Sequence, residues 1–237
     1  MSVIEQAPRG SFEVVTFSLY RDVHKGIRSE LFGTTLRAGN VNPSDRAARQ
    51  ALARRVSDVA GLLEMHAEHE DRVVQSHIET YLPDVAAVID HDHRSFDKRM
   101  EDVKDLAGEV AGASGSLARE RTEQFYIELA AFTSAYLAHQ DLEERVVMPM
   151  LERELGFDGV LGVHGAIVSS VPPDVMAASL AVMLPAMNID DRTEMLQGMR
   201  RGAPAEAFAG VWCLAGSVLP ATEYAELGAR LGLQAAA

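Results

Sequence analysis

The sequence predicts an all-α fold: an antiparallel four-helix bundle followed by a C-terminal helical extension. Apolar residues in four long segments of the first two-thirds recur at alternating spacings of three and four, the pattern of helices packed in a bundle. No segment shows the alternation of apolar and polar residues that indicates a strand. Short stretches containing Gly, Pro and Asn separate the segments, so neighbouring helices are expected to pack against each other.

Turn residues set the bounds of the first two predicted helices. The first is expected to end at Gly33, interpreted as a C-cap. The second is expected to begin at Asn42 and Pro43, an N-cap followed by proline at the first helical position. It runs to about Tyr81, and Pro83 then separates it from the third helix.

The third predicted helix ends near residues 111–115, and the fourth runs from about Ser116 to Gly156. Residues 1–156 are therefore predicted to form the bundle, and residues 157–237 an extension of unknown role. The extension is rich in Gly, Pro and Met, and its helices are expected to be shorter, with Asp190 capping one and Pro204 opening another.

Composition limits the classes of partner. The formal net charge of −13 over 237 residues would repel a polyanion, which argues against nucleic acid as a partner. The longest apolar run, residues 175–187, contains Pro185 and is too short to span a membrane. One cysteine, Cys213, and an N-terminus without a basic patch followed by an apolar run predict a cytoplasmic protein that has no membrane partner.

Six polar residues interrupt the apolar stripes at positions where the pattern calls for leucine. Two glutamates buried side by side repel each other, and no lysine or arginine interrupts the stripes near them. A metal centre would supply the missing positive charge; a hydrogen-bonded polar core is the alternative. The six residues are His24, His66, Glu70, His93, His139 and Glu143.

Four of these residues belong to a sequence repeat. Residues 66–74 (HAEHEDRVV) match residues 139–147 (HQDLEERVV). A histidine and a glutamate four apart lie about 40° apart around a helix, so both reach one site from the same face. Two copies, with one histidine from each remaining helix, predict an approximately two-fold arrangement.

The ligand set indicates the number and kind of metal. Six ligands shared between two ions leave open positions, with two histidines on each ion and two bridging carboxylates. Mixed imidazole and carboxylate ligation suits iron, manganese or zinc. Calcium prefers oxygen alone, and a structural zinc finger needs thiolates, so neither fits the pattern.

At these residues the chain resembles the hemerythrin or HHE cation-binding family, over roughly residues 12–155. The family pattern is a histidine on the first helix, H-x-x-x-E on the second, a histidine on the third, and H-x-x-x-E or H-x-x-x-x-D on the fourth. The resemblance implies two non-haem iron ions, which an oxo or hydroxo group can bridge. It also implies a small ligand such as dioxygen, nitric oxide or peroxide. The matching positions are His24, His66, Glu70, His93, His139 and Glu143.

The third helix departs from the pattern of the oxygen-carrying hemerythrins, which have H-x-x-x-H there. The positions four residues from His93 are Ile89 and Asp97. The site is therefore expected to be one histidine short, which predicts a poor reversible oxygen carrier that reacts with or senses oxidants.

Two assignments are open at this point. The fourth-helix carboxylate is Glu143 or Glu144, and the repeat favours Glu143 because it pairs with Glu70. Tyr20, one turn before His24, is a candidate to bind the cofactor as a phenolate or to hydrogen-bond a bound oxygen species; a core tyrosine is the alternative. The other candidates to complete the site are His69, His91 and Asp97.

Three function classes follow from this pattern. The first is a di-iron protein that binds, senses or reacts with dioxygen, peroxide or nitric oxide. The second is a peroxide-degrading enzyme of the catalase or peroxidase type, active under oxidative stress. The third is a structural or iron-sensing bundle. Ferritin-like bundles fit less well, because they use E-x-x-H pairs. The extension is a candidate surface for a homodimer, since its apolar faces need cover.

Overall fold

The structure, a computed structural model, describes residues 12–233, and these residues contain helices and no strand. The predicted all-α class is therefore confirmed. Two π-helical turns, Glu70–Val74 and Glu143–Val147, interrupt the α-helices. The α-helices in chain order are α1 (Arg21–Asn40), α2 (Arg46–His69), α3 (Gln75–Tyr81), α4 (Pro83–Gly112), α5 (Gly115–Leu142), α6 (Met148–Ser170), α7 (Pro173–Ala186), α8 (Ile189–Gly202), α9 (Ala205–Val218) and α10 (Ala221–Leu231).

The described chain divides into two compact units. The first contains residues 12–20 and Ile27–Ser170, and the second contains Arg21–Gly26 and residues 171–233. Gly156, where the fourth bundle helix was predicted to end, lies inside α6 with a φ of 68° and interrupts its helical backbone. A boundary between residues 156 and 157 stays a prediction.

The prediction that the first helix ends at Gly33 is wrong, because α1 continues to Asn40. Leu31, Thr34 and Ala38 are buried on one face of the helix, so contacts on both sides of Gly33 favour its continuation. The Thr34 hydroxyl accepts a hydrogen bond from Arg55 Nε at 3.0 Å, which ties this part of α1 to α2.

The predicted start of the second helix is wrong by three residues. The Asp45 side chain caps α2 by accepting a hydrogen bond from the Ala48 backbone N–H at 3.0 Å. Asn42 instead stabilises the preceding turn, where its side chain accepts from the Ser44 N–H at 2.9 Å. Asn42 and Pro43 therefore open a turn and not a helix.

The other predicted bounds agree more closely with the structure. The second helical segment ends at Tyr81, α4 begins at Pro83, and α5 begins one residue before Ser116. Pro204 directly precedes α9, as predicted. The Asp190 cap is wrong, because the Asn188 side chain caps α8 by accepting from the N–H groups of Asp190 and Asp191.

The two units differ in their cores. The first unit has an apolar cluster that includes Val74, Ile78, Val147 and Met148, next to the buried histidines and glutamates. The second unit has an aliphatic core whose buried members are Leu180, Leu184, Leu196, Ala215, Leu219, Leu227 and Leu231.

Among the described residues, no single helix is long and apolar enough to cross a membrane. One bent pair, Gly115–Ser170 with Pro173–Ala186, reaches that threshold by length and composition alone.

Candidate metal centre

Both copies of the repeat leave regular α-helical geometry at their glutamate. Helix α2 ends at His69 and a π-helical turn begins at Glu70; α5 ends at Leu142 and a second π-helical turn begins at Glu143. The same five-residue pattern, Glu-x-Arg-Val-Val, thus produces the same backbone twice. Single π-helical turns inside α-helices are frequent at functional sites.

One cluster of ligand atoms, the first ligand group, contains Glu70, His93, His139 and Glu143. Its atoms lie within 4.8 Å of one another, and all four side chains are buried. His93 Nε2 lies 3.5 Å from a Glu70 oxygen, and His139 Nε2 lies 3.3 Å from a Glu143 oxygen. The Nε2 atoms of His93 and His139 are 3.2 Å apart, so both rings direct the same nitrogen to one point.

A second ligand group contains His24, His66, Glu70 and Glu143, also within 4.8 Å and also buried. His66 Nε2 lies 3.1 Å from the other Glu70 oxygen. The two groups share both glutamates and between them contain all six residues singled out in the sequence. Their role as metal ligands stays a prediction.

The contacts of Glu70 test whether a cation fits. Neither of its oxygens accepts a hydrogen bond of good geometry, although imidazole nitrogens lie 3.1 and 3.5 Å away. Buried carboxylate oxygens that face imidazole nitrogens without accepting a hydrogen bond are suited to bind a shared ion. Burial, followed by the charge of Glu143, raises the pKa of Glu70 well above its ordinary value. Without a metal, burial therefore favours the protonated form of Glu70, and a bound cation would favour the carboxylate.

The pKa of His139 is also raised, but by neighbouring charged groups and not by burial. Burial lowers its pKa, but the charge of Glu143 and a hydrogen bond with Asp92 more than offset this, and the pKa rises to about 9. Without a metal, the raised pKa values thus favour the protonated forms of both the His139 imidazole and the Glu70 carboxyl group. The donor set of imidazole nitrogens and carboxylate oxygens suits iron, manganese or zinc.

Two aspartates that the sequence reasoning missed contact the histidines from behind. Asp71 Oδ1 lies 2.8 Å from His93 Nδ1, and Asp92 Oδ2 lies 3.4 Å from His139 Nδ1. A carboxylate that accepts from Nδ1–H leaves Nε2 facing the centre and fixes the ring. Each aspartate directly adjoins a candidate ligand in the sequence, Asp71 after Glu70 and Asp92 before His93, and this adjacency is the signal that could have found them.

Two tyrosines lie near the glutamates. Tyr20, the residue before α1, is buried, and its pKa is raised by burial and then by the charges of Glu143 and Glu70. Tyr136, which has the spacing of a core residue on α5, is also buried, and burial, Glu70 and Glu143 raise its pKa. Its ring lies 5.9 Å from that of His139, between ring centroids.

The remaining candidates lie outside both ligand groups. His69 is buried, but its Nδ1 lies 2.6 Å from the Met65 carbonyl oxygen of its own helix. His91 and Asp97 are exposed. Glu144 accepts two hydrogen bonds from the Arg28 guanidinium, at 2.7 and 3.0 Å, whereas Glu143 belongs to both groups.

One comparison with known proteins identifies a family. A family model described as the hemerythrin HHE cation-binding domain matches residues 15–164, about 150 of the 237 residues. The match includes all six residues of the two ligand groups. No curated protein and no solved structure matches the chain.

Proposed function

Because this chain belongs to the hemerythrin HHE cation-binding domain family, we propose that it holds two iron ions and binds, senses or reacts with dioxygen, peroxide or nitric oxide. The observation that carries the proposal is the sharing of Glu70 and Glu143 by two ligand groups. In this arrangement one ion takes His24 and His66, the other takes His93 and His139, and the two glutamates bridge them.

The proposed scaffold is an antiparallel four-helix bundle built from α1, α2 with α3, α4, and α5 with α6. Its support is that each of these segments supplies at least one residue to the ligand groups. Iron, when bound, supplies the redox chemistry with dioxygen, peroxide or nitric oxide. We also propose that an oxo or hydroxo group would lie between the two ions.

The surrounding residues have distinct roles. Asp71 and Asp92 hold the rings of His93 and His139 so that Nε2 faces the centre. Tyr20 binds the cofactor or hydrogen-bonds its small ligand; it is buried near both glutamates, and its raised pKa favours the neutral phenol, the form that donates a hydrogen bond.

Reaction with oxidants is proposed over reversible oxygen carriage. Two positions four residues from His93 carry no imidazole: Ile89 is buried and Asp97 is exposed. With four histidines and two glutamates, the ligand groups combine few neutral imidazoles with two hard anionic carboxylates, which favours the ferric state. Mixing the reduced protein with dioxygen in a stopped-flow instrument tests this. Conversion to a ferric form with peroxide consumption is expected; dioxygen uptake that reverses on degassing would contradict it.

Metal analysis with an absorption spectrum, recorded before and after peroxide, separates the candidate functions. Two irons per chain and a spectrum that changes with peroxide support the proposal. Rapid evolution of dioxygen would assign a catalase-type enzyme. A colourless zinc-loaded protein would assign a structural bundle. A cytoplasmic location and a homodimer formed through the C-terminal extension also stay predictions.

A further inference from the structure

A narrow cleft enters the first unit between α2, α4 and α5. Ala67 lies on α2, His93, Asp97 and Met100 on α4, and Tyr136 on α5. The volume of the cleft is about 10 Å³. By this measure the space holds about one water molecule, so a diatomic gas or a peroxide passes only with small movements of the lining side chains, and larger molecules need larger movements.

The cleft contacts the first ligand group through His93. His93, whose Nε2 lies 3.5 Å from Glu70, and Tyr136 are its buried lining residues. Its exposed lining residues include Asp97 and Glu64, and the Glu64 carboxylate lies 4.0 Å from the Lys104 ammonium group. The rest of the lining is mostly apolar and aromatic, and it includes Phe96.

The mouth of the cleft carries the negative charge of Asp97, and the walls behind it are mostly apolar. An anion that enters therefore meets negative charge at the mouth and an apolar wall behind it, and both oppose its passage. A neutral molecule of the same size is not repelled by this charge, and it loses less hydration free energy at the apolar wall than an anion does.

We propose that this cleft is the route by which small uncharged molecules reach the metal centre, with Ala67 setting its width and Asp97 selecting against anions. This inference rests on the proposed function. It adds the chemical class that the site admits: neutral dioxygen, nitric oxide and hydrogen peroxide in preference to anions of equal size.

The first test needs no iron. Dissolved dioxygen is paramagnetic and accelerates the relaxation of nearby methyl protons, so NMR of the iron-free full chain reports where it enters. Met100 lines the cleft, whereas Met150 is equally buried in the apolar core and serves as the internal control. We expect dioxygen to relax the Met100 methyl group more strongly than the Met150 methyl group. This difference should be lost in Ala67→Phe and retained in the control variant Ala51→Phe, because Ala51 is an exposed residue of α2 outside the cleft. Equal relaxation of Met100 and Met150 would overturn the route.

The second test measures entry kinetics in the iron-loaded full chain. In Ala67→Phe, the association and dissociation rates of nitric oxide should both fall by at least about tenfold, with the equilibrium affinity unchanged, because a blocked route slows entry and exit alike. Asp97→Lys should speed association of azide, an anion, by roughly threefold at low salt and leave nitric oxide unaffected. Asp84→Lys, the same charge change at an exposed position outside the cleft, should affect neither.

The outcomes separate the two proposals. Unchanged nitric oxide rates in Ala67→Phe, with iron bound, would overturn the route and leave the di-iron assignment standing. If the unsubstituted protein fails to bind iron, the proposed function is overturned, and the dioxygen relaxation of Met100 still decides whether the cleft admits small neutral molecules. If Ala67→Phe does not fold, Asp97→Lys still tests the route, since an unchanged azide rate would contradict it.

Discussion

The two copies of the repeat have the same local structure and different surroundings. Residues 66–74 and 139–147 both place a histidine one turn before a glutamate that begins a π-helical turn. In each copy the histidine Nε2 lies close to its own glutamate, at 3.1 Å in the first and 3.3 Å in the second. The repeated pattern therefore determines the backbone and the local ligand pair.

The two copies differ in the contacts of the residue that follows each glutamate. Asp71 contacts His93, a ligand candidate on α4, whereas Glu144 forms a two-point ion pair with Arg28 on α1. His139 is also held from behind by the buried Asp92. Neighbouring helices, and not the repeat itself, thus give the two halves of the centre different electrostatics.

The largest effect on metal content is expected when the glutamate of each copy is replaced. Glu70→Gln combined with Glu143→Gln should reduce metal content from two ions to fewer than one per chain, because both glutamates belong to both ligand groups. Elemental analysis of the purified variant measures this. Glu144→Gln is the matched control and should keep both ions. Two metals per chain in the double variant would refute the shared-carboxylate assignment.

Metal removal should have the next largest effect, and it should depend on pH. Glu70 has a raised pKa, so between its unfolded value of about 4.3 and its folded value the unfolded chain releases a proton that the folded chain retains. Stability is lost as pH rises through this range. His139 acts in the same direction, because its contribution is complete below about pH 6.5 and disappears as pH rises through about 9.

Thermal melts with and without a chelator measure this. The metal-free protein should melt at a lower temperature than the loaded one, by about 5 °C or more, and the gap should widen from about pH 6 to about pH 9. The Glu70→Gln, Glu143→Gln double variant serves as the control and should show a weaker pH dependence. A metal-free protein that melts at a higher temperature at pH 9 than at pH 6 would contradict the assignment.

A smaller effect should distinguish the two aspartates. Asp92→Asn should weaken metal binding by roughly 10–100-fold, the usual range for a carboxylate behind a histidine ligand. Asp71→Asn should have less effect, because the Asp71 side chain is 53% exposed and that of Asp92 is 8% exposed. Competition with a chromophoric chelator gives both affinities, and Asp90→Asn, an exposed position of α4, is the control. A greater loss in Asp71→Asn would reverse this ranking.

The features that could be predicted from the sequence are those that depend on short, local residue patterns. Six polar residues stood out because they interrupt apolar stripes, and the structure gathers all six in two groups. Pro83 marked the start of α4 because proline fits the first turn of a helix and not its interior.

The features that could not be predicted from the sequence depend on contacts between helices. Gly33 resembles a helix end, but burial of Thr34 and Ala38 against neighbouring elements carries α1 past it. Asp92 resembles the surface acids around it, and only packing makes it a buried partner of His139. Tyr136 had the spacing of a core residue, and its proximity to the glutamates became visible only with the helices assembled.

The smallest expected effect concerns the ion pair between Arg28 and Glu144. Their side chains are 28% and 29% exposed, so breaking the pair by Glu144→Gln should reduce the free energy of unfolding by only about 0.5–1 kcal/mol. The metal content should not change, because Glu144 lies outside both ligand groups. Urea denaturation and metal analysis of the same preparation measure the two quantities, and Arg28→Gln should reproduce the stability loss. If Glu144→Gln loses metal while Arg28→Gln does not, Glu144 is a ligand, and the parallel between the two copies of the repeat fails at its second glutamate.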